Sequence, residues 1–120
     1  MFQNILLVFL GGGIGSLARY GVSSGVKLFP ASSFPVATLV ANILSCVVMG
    51  ITLSLISGKL NEQPLRLFVI AGICGGFSTF STFSLETLEL IRKGNLGFAA
   101  ANIVVSMALC MVVLGALIKK

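Results

Sequence analysis

The sequence predicts an all-α membrane protein: four transmembrane helices per chain, the third broken near its middle, paired as an antiparallel dual-topology homodimer. Three observations lead there. First, 57% of the 120 residues are hydrophobic and 9% are charged, with a mean hydropathy of +1.11. A soluble domain of this size cannot bury so much apolar surface. Second, the apolar residues form one domain, 1–120, of four stretches at about 4–26, 34–56, 65–90 and 96–118, separated by polar turns. Third, the eight basic residues divide evenly between the two sides that four spans create.

Composition also removes several classes of function. The net charge of +5 has no basic run behind it, so nucleic-acid binding gains no support. With no histidine and three acids, zinc chemistry and triad hydrolysis have no material, and no nucleophile–base pair can be assembled for an enzyme. Cys46, Cys74 and Cys110 each lie in an apolar stretch and read as small core residues. No cleavable signal peptide is expected, because Met1–Asn4 lacks a basic leader.

The first span carries Gly11-Gly12-Gly13-Ile14-Gly15-Ser16 and then Arg19-Tyr20-Gly21. Gly11 with Gly15, and Gly21 with Gly25, have the small-xxx-small spacing that brings two helices together. A phosphate-cradling loop would need a preceding strand and a following lysine, and neither is present. Arg19 is costly at membrane depth unless it snorkels or reaches an interface, an anion or backbone carbonyls.

After the turn Lys27–Pro35, the second span sets Thr38 and Asn42 one turn apart, with Ser45 three residues on. An unpaired amide in hydrocarbon costs several kcal/mol, so Asn42 must face protein or water. It serves either as interhelical glue or as a donor to a passing anion.

The third span opens at Pro64, well suited to a first helical position. From about Leu65 to Leu90 it measures roughly 39 Å, beyond the ~30 Å hydrocarbon core. Tilt absorbs the excess, or a break does. A break is expected around Gly75-Gly76-Phe77-Ser78-Thr79, within the stretch Gly72-Ile73-Cys74-Gly75-Gly76-Phe77-Ser78-Thr79-Phe80-Ser81-Thr82-Phe83-Ser84. Its three glycines each weaken a helix by roughly 1 kcal/mol, and non-helical backbone survives at depth only inside protein or beside a wet cavity. Phe77, Phe80 and Phe83 recur at i, i+3, i+6 and would form one slanted row on a helix, with hydroxyls in the other directions. Close packing explains this pattern, and so does a permeation or binding site. Glu86 and Glu89 follow near the helix end.

In the fourth span Asn102, Ser106 and Cys110 fall at i, i+4, i+8, a polar stripe that faces helices or a pore rather than lipid. Lys59, Arg66, Lys119 and Lys120 lie on one side of the membrane; Arg19, Lys27, Arg92 and Lys93 lie on the other. The positive-inside rule then has no asymmetry to act on. Insertion in both orientations follows, and it allows an antiparallel homodimer. Four short helices enclose too little volume for a pore alone, so association is expected.

The stretches Gly12–Tyr20, Thr38–Asn42 and Gly75–Phe83 together resemble the bacterial fluoride channel family (Fluc, also called CrcB). The resemblance covers the whole chain, and its third motif is the most specific. It implies a multi-pass protein of the bacterial cytoplasmic membrane, a dual-topology homodimer with two antiparallel pores that export fluoride passively. It further implies Phe80 and Phe83 as the pore phenylalanines and Asn42 as an essential polar contact. With Thr38 and the hydroxyls of Ser81 and Thr82, these make up the pore donors. The polar track maps onto Asn102, Ser106 and Cys110, Glu86 lies at a pore mouth, and Arg19 at a vestibule or the subunit interface. A structural Na⁺ at the dimer centre would be held by the main-chain carbonyls of Gly75 and Ser78. The rival reading is a small four-helix cation/proton antiporter. It needs a membrane-embedded carboxylate, and the spans hold none before Glu86.

Overall fold

In a computed structural model, residues 1–26, 35–56, 63–78 and 80–118 are described, and all their regular structure is helical. Helix α1 is Phe2–Val26 and α2 is Val36–Ile56. Helix α3 covers 63–77, α4 is Phe80–Arg92 and α5 is Leu96–Leu117. Four helical spans are long and apolar enough to cross a membrane, α3 and α4 together forming the third. The second span begins at Val36, after Pro35, and the third begins at Gln63, one residue before Pro64. The expected turns at 27–34 and 57–62, with Lys27, Lys59 and Glu62, lie outside the described residues, as does Thr79.

Helix α1 packs chiefly on α3, α2 packs on α5 and α3, and α4 rests on α5. Lipid tails are as apolar as leucine, so helices associate in a membrane through close van der Waals fit rather than a hydrophobic drive. The α1–α3 crossing follows that rule. Gly11 and Gly15 on α1 and Gly72 on α3 are all buried, and their backbones touch. A Cβ added to Gly72 would stand 2.8 Å from the Gly11 Cα, and one on Gly15 would stand 2.8 Å from the Phe77 nitrogen. Both lie below any ordinary carbon contact, so only glycine fits. Gly21 and Gly25 have the same spacing but meet no neighbouring atom within 4 Å among the described residues. Their side of α1 is open.

Between Arg66 and Cys74, α3 winds in wider π-type turns before a single α turn, Gly75–Phe77. Such turns are rare and frequently mark functional sites. The helix then stops. Ser78 is extended, at φ −92° and ψ 157°, and α4 starts at Phe80. This interruption corrects one expectation from the sequence. Phe77 does not share a row with Phe80 and Phe83, because it ends α3 and is buried beside Gly15. Only Phe80 and Phe83 remain neighbours on one helix, with ring centroids 5.9 Å apart and planes tilted by 38°.

Helix α4 ends in a Schellman turn. Gly94 adopts φ +84°, its N–H donates to the Ile91 carbonyl at 3.1 Å, and the Asn95 N–H donates to the Leu90 carbonyl at 2.9 Å. Asn95 then starts α5, its carbonyl accepting from the Ala99 N–H at 3.0 Å. At the other end of α5, the Ser54 hydroxyl donates to the Leu117 carbonyl, and buried Gly50 meets the Leu117 side chain.

Gly72→Val should force α1 and α3 apart and lower stability by about 3 kcal/mol, the upper end for overpacking. Gly115→Ala, at a helical position with no atom within 4 Å, should leave the packing intact and raise stability by up to about 1 kcal/mol. Thermal unfolding of the purified protein in detergent, followed by size-exclusion chromatography, separates the two.

Candidate functional site

The interruption in the third span would be prohibitive in hydrocarbon if its backbone groups were left bare, since a helix end leaves its last four carbonyls without helical partners. Here the Gly76 carbonyl among them is satisfied by a named side chain, and the Cys74 carbonyl, which keeps its helical partner, gathers two hydroxyls besides. The Cys74 carbonyl accepts from the Ser78 N–H at 3.0 Å, the Ser78 hydroxyl at 2.9 Å and the Ser45 hydroxyl of α2 at 3.3 Å. In return, the Cys74 thiol donates to the Ser45 carbonyl at 3.5 Å. From the other side, Arg19 Nε of α1 donates to the Gly76 carbonyl at 3.3 Å. Arg19 thus reaches backbone carbonyls, one of the outlets open to it on the sequence. Three helices converge on this one break.

Beside the break lies a cavity of about 260 Å³. Asn42, Ser45, Cys46 and Met49 of α2 line one side, and Ser106, Met107, Cys110 and Met111 of α5 line another. Ser78 and the rings of Phe80 and Phe83 complete it. Six residues singled out on the sequence are therefore gathered from three spans: Asn42, Ser78, Phe80, Phe83, Ser106 and Cys110. Phe80 is 79% exposed within one chain.

Behind the cavity wall runs a directed chain of hydrogen bonds. Ser106 Oγ donates to Asn102 Oδ1 at 3.3 Å, Asn102 Nδ2 donates to Thr87 Oγ1 at 2.9 Å, and Thr87 Oγ1 donates to the Phe83 carbonyl at 2.8 Å. Asn102 and Thr87 are buried and do not line the cavity. The chain fixes the Asn102 amide orientation and ties α5 to the α4 turn that carries Phe83. It also commits protons. A hydroxyl carries one hydrogen, and those of Ser45, Ser78 and Ser106 already serve protein acceptors.

The remaining candidates sit around this centre. Thr38 is buried one turn before Asn42 on α2. Ser81 is exposed and Thr82 half-buried in the first turn of α4. Glu86 is half-buried one turn past Phe83, and its Oε1 is shielded from solvent with no hydrogen-bond partner among the described residues. Gly75 is exposed in the last turn of α3. Among the described residues no three His, Cys, Asp or Glu side chains cluster as metal ligands. Thr87 escaped the sequence reading because nothing on α4 marks it; its role appears only when α4 is laid against Asn102.

A sequence model for CrcB-like proteins, described as Camphor Resistance (CrcB), matches residues 6–117. The chain belongs to the CrcB family. Among similar proteins, one from Coxiella burnetii is 44% identical over 111 residues, covering 91% of this chain and 90% of its own length. One from Yersinia pseudotuberculosis is 43% identical over 110 residues, covering 90% and 85%. One from Ruminiclostridium cellulolyticum is 42% identical over 120 residues, covering 98% and 92%. The first and third are named fluoride-specific ion channel FluC and the second fluoride-specific ion channel FluC 1. CrcB membership and the four spans together make this a multi-pass membrane protein.

Within that CrcB frame, the buried network gives a direct test. Asn102→Ala removes the acceptor of the Ser106 hydroxyl and the amide that donates to Thr87 Oγ1, and should cost about 1–3 kcal/mol of stability. Thr87→Val combined with it should cost less than the sum of the single changes, because the two residues share one hydrogen bond. Thermal melts of the two single variants and the double variant give the coupling.

Proposed function

We propose that this chain forms a fluoride-selective channel that lets fluoride leave the bacterial cytoplasm down its gradient across the inner membrane. The observation that carries the reading is the cavity beside the break, where an amide, serine hydroxyls and two phenyl rings from three spans share one space. Family membership and the relatives' names support the choice of ion.

The chemistry suits a small, strongly hydrated anion. Such an ion gives up water only to strong donors, and the Asn42 amide on the cavity wall is a group of that kind. The edge of a phenyl ring is the positive part of its quadrupole, so Phe80 and Phe83 can pass an anion along without holding it. Conduction requires such weak, multiple contacts. Ser106 reaches an ion by turning its hydroxyl away from Asn102, a rotation about one bond that breaks a 3.3 Å hydrogen bond. Thr38, Ser81, Thr82, Cys110 and Glu86 are assigned to the same path or its mouth, whereas Asn102 stands behind the cavity wall and positions Ser106.

A dual-topology homodimer with two antiparallel pores completes the proposal. It is supported by the balanced basic residues. A groove on α1, lined by Phe9, Gly12, Gly13, Ser16 and Gly76, offers a close-approach surface to a second copy. The carbonyls of Gly75 and Ser78, contributed by both subunits, are proposed to hold a structural Na⁺. Carbonyl oxygens at a half-helix C-terminus, with Ser78 extended away from the helical ladder, are the donor type that suits Na⁺. When bound, the ion supplies a fixed positive charge that favours anions nearby and joins the subunits.

The test is ion efflux from liposomes loaded with potassium fluoride, with valinomycin balancing charge and a parallel set holding chloride. Rapid fluoride loss with chloride retained is expected, and Phe80→Ala and Asn42→Ala should each slow fluoride by about tenfold or more. Well-folded protein that retains fluoride, or that exchanges protons for organic cations instead, rejects the proposal. Removing sodium should weaken both dimer and flux; a dimer and flux unchanged in sodium-free buffer would reject the Na⁺ assignment alone.

A further inference from the structure

Three cysteines and four methionines are the sulfur-bearing residues of the sequence. Five of these seven line the cavity: Cys46 and Met49 on α2, and Met107, Cys110 and Met111 on α5. The spacing explains how. Positions i and i+3 on α2, and i, i+3 and i+4 on α5, each fall on one helix face, and α2 and α5 pack together. Cys46 and Cys110 thus line the same cavity from the two packed helices. Both are half-buried and form no disulfide. Cys74 stands apart, buried, with its thiol donating to the Ser45 carbonyl.

Methionine fills irregular gaps well, and that alone would account for one or two thioethers. It does not account for a pair of facing thiols among three thioethers, in a cavity whose lining contains no carboxylate or imidazole. Thiolate and thioether sulfurs are soft ligands that select Cu(I) and similar ions, whereas hard divalent cations prefer oxygen. We propose that Cys46 and Cys110, with the flanking thioethers, form a binding site for one soft monovalent d¹⁰ cation, Cu(I) or Ag(I). On binding, one thiol releases its proton to solvent as its sulfur bonds the metal, so the net charge of the site is unchanged. The second thiol and the thioethers donate lone pairs. If the cavity is the fluoride path, as proposed above, an occupied site narrows it and fluoride flux falls.

Silver nitrate in chloride-free nitrate buffer is the probe, with bound metal measured by equilibrium dialysis and elemental analysis of the purified full chain. One Ag(I) per chain is expected, and so is protection of Cys46 and Cys110 from maleimide, while Zn(II) at equal concentration gives neither effect. The Cys46→Ser/Cys110→Ser variant should bind silver about tenfold more weakly or worse. Equal binding by this variant and the wild type overturns the site. Should that variant fail to fold, Met49→Leu/Met107→Leu, a volume-conserving change, takes its place. Affinity unchanged in it, with no maleimide protection in the wild type, likewise overturns the site. The liposome arm separates the two readings. Silver that slows fluoride efflux from wild type but not from the cysteine variant supports both. Silver that binds one per chain yet leaves wild-type efflux unchanged keeps the site and removes the cavity from the fluoride path.

Discussion

Backbone amides and carbonyls cannot be left bare in hydrocarbon, and the third span of this protein breaks that requirement on purpose at its middle. The repair is local and specific. Ser45 from α2 and Ser78 from the break itself converge on the Cys74 carbonyl, and Arg19 from α1 reaches the Gly76 carbonyl. An arginine inside a membrane is expensive. Here its cost is offset by giving a helix C-terminus both a hydrogen bond and a favourable charge. The break, the arginine and the second-span serine therefore belong to one arrangement.

Two kinds of packing hold that arrangement in place. On one side, glycine backbones press α1 against α3 without intervening side chains, which keeps Arg19 within reach of Gly76. On the other, the polar chain Ser106–Asn102–Thr87 draws α4 onto α5 and fixes the turn that carries Phe83. Neither needs a large apolar core, and few hydrophobic side chains are buried. The apolar surface is instead turned outward, where a lipid bilayer is its solvent.

Much of this was legible in the residues. The four spans follow from hydropathy, the α1 contact from Gly11 and Gly15, and the weak point of the third span from its glycines. Asn102 and Ser106 announced a polar stripe through their i, i+4 spacing. What could not be read depends on partners brought from elsewhere in the chain. Phe77 shares its spacing with Phe80, and a break expected around 75–79 does not by itself say on which side of Phe77 the helix stops. Thr87 has meaning only opposite Asn102. The π-type turns from Arg66 to Cys74 have no signature in that run, since leucine, valine and isoleucine fit an ordinary helix equally well. The sulfur lining of the cavity is split between two spans about sixty residues apart and is invisible until they are packed.

The extended residue between α3 and α4 also has an electrical consequence. Each half-helix carries its own macrodipole, with a partial negative charge at its C-terminus and a partial positive charge at its N-terminus. An unbroken span would bury neither pole. Interrupting it at Ser78 places the negative pole of α3 and the positive pole of α4 within a few residues of each other, in the middle of the span Gln63–Arg92. One short piece of backbone thereby offers opposite signs of potential to its two sides, without any ionised side chain of its own.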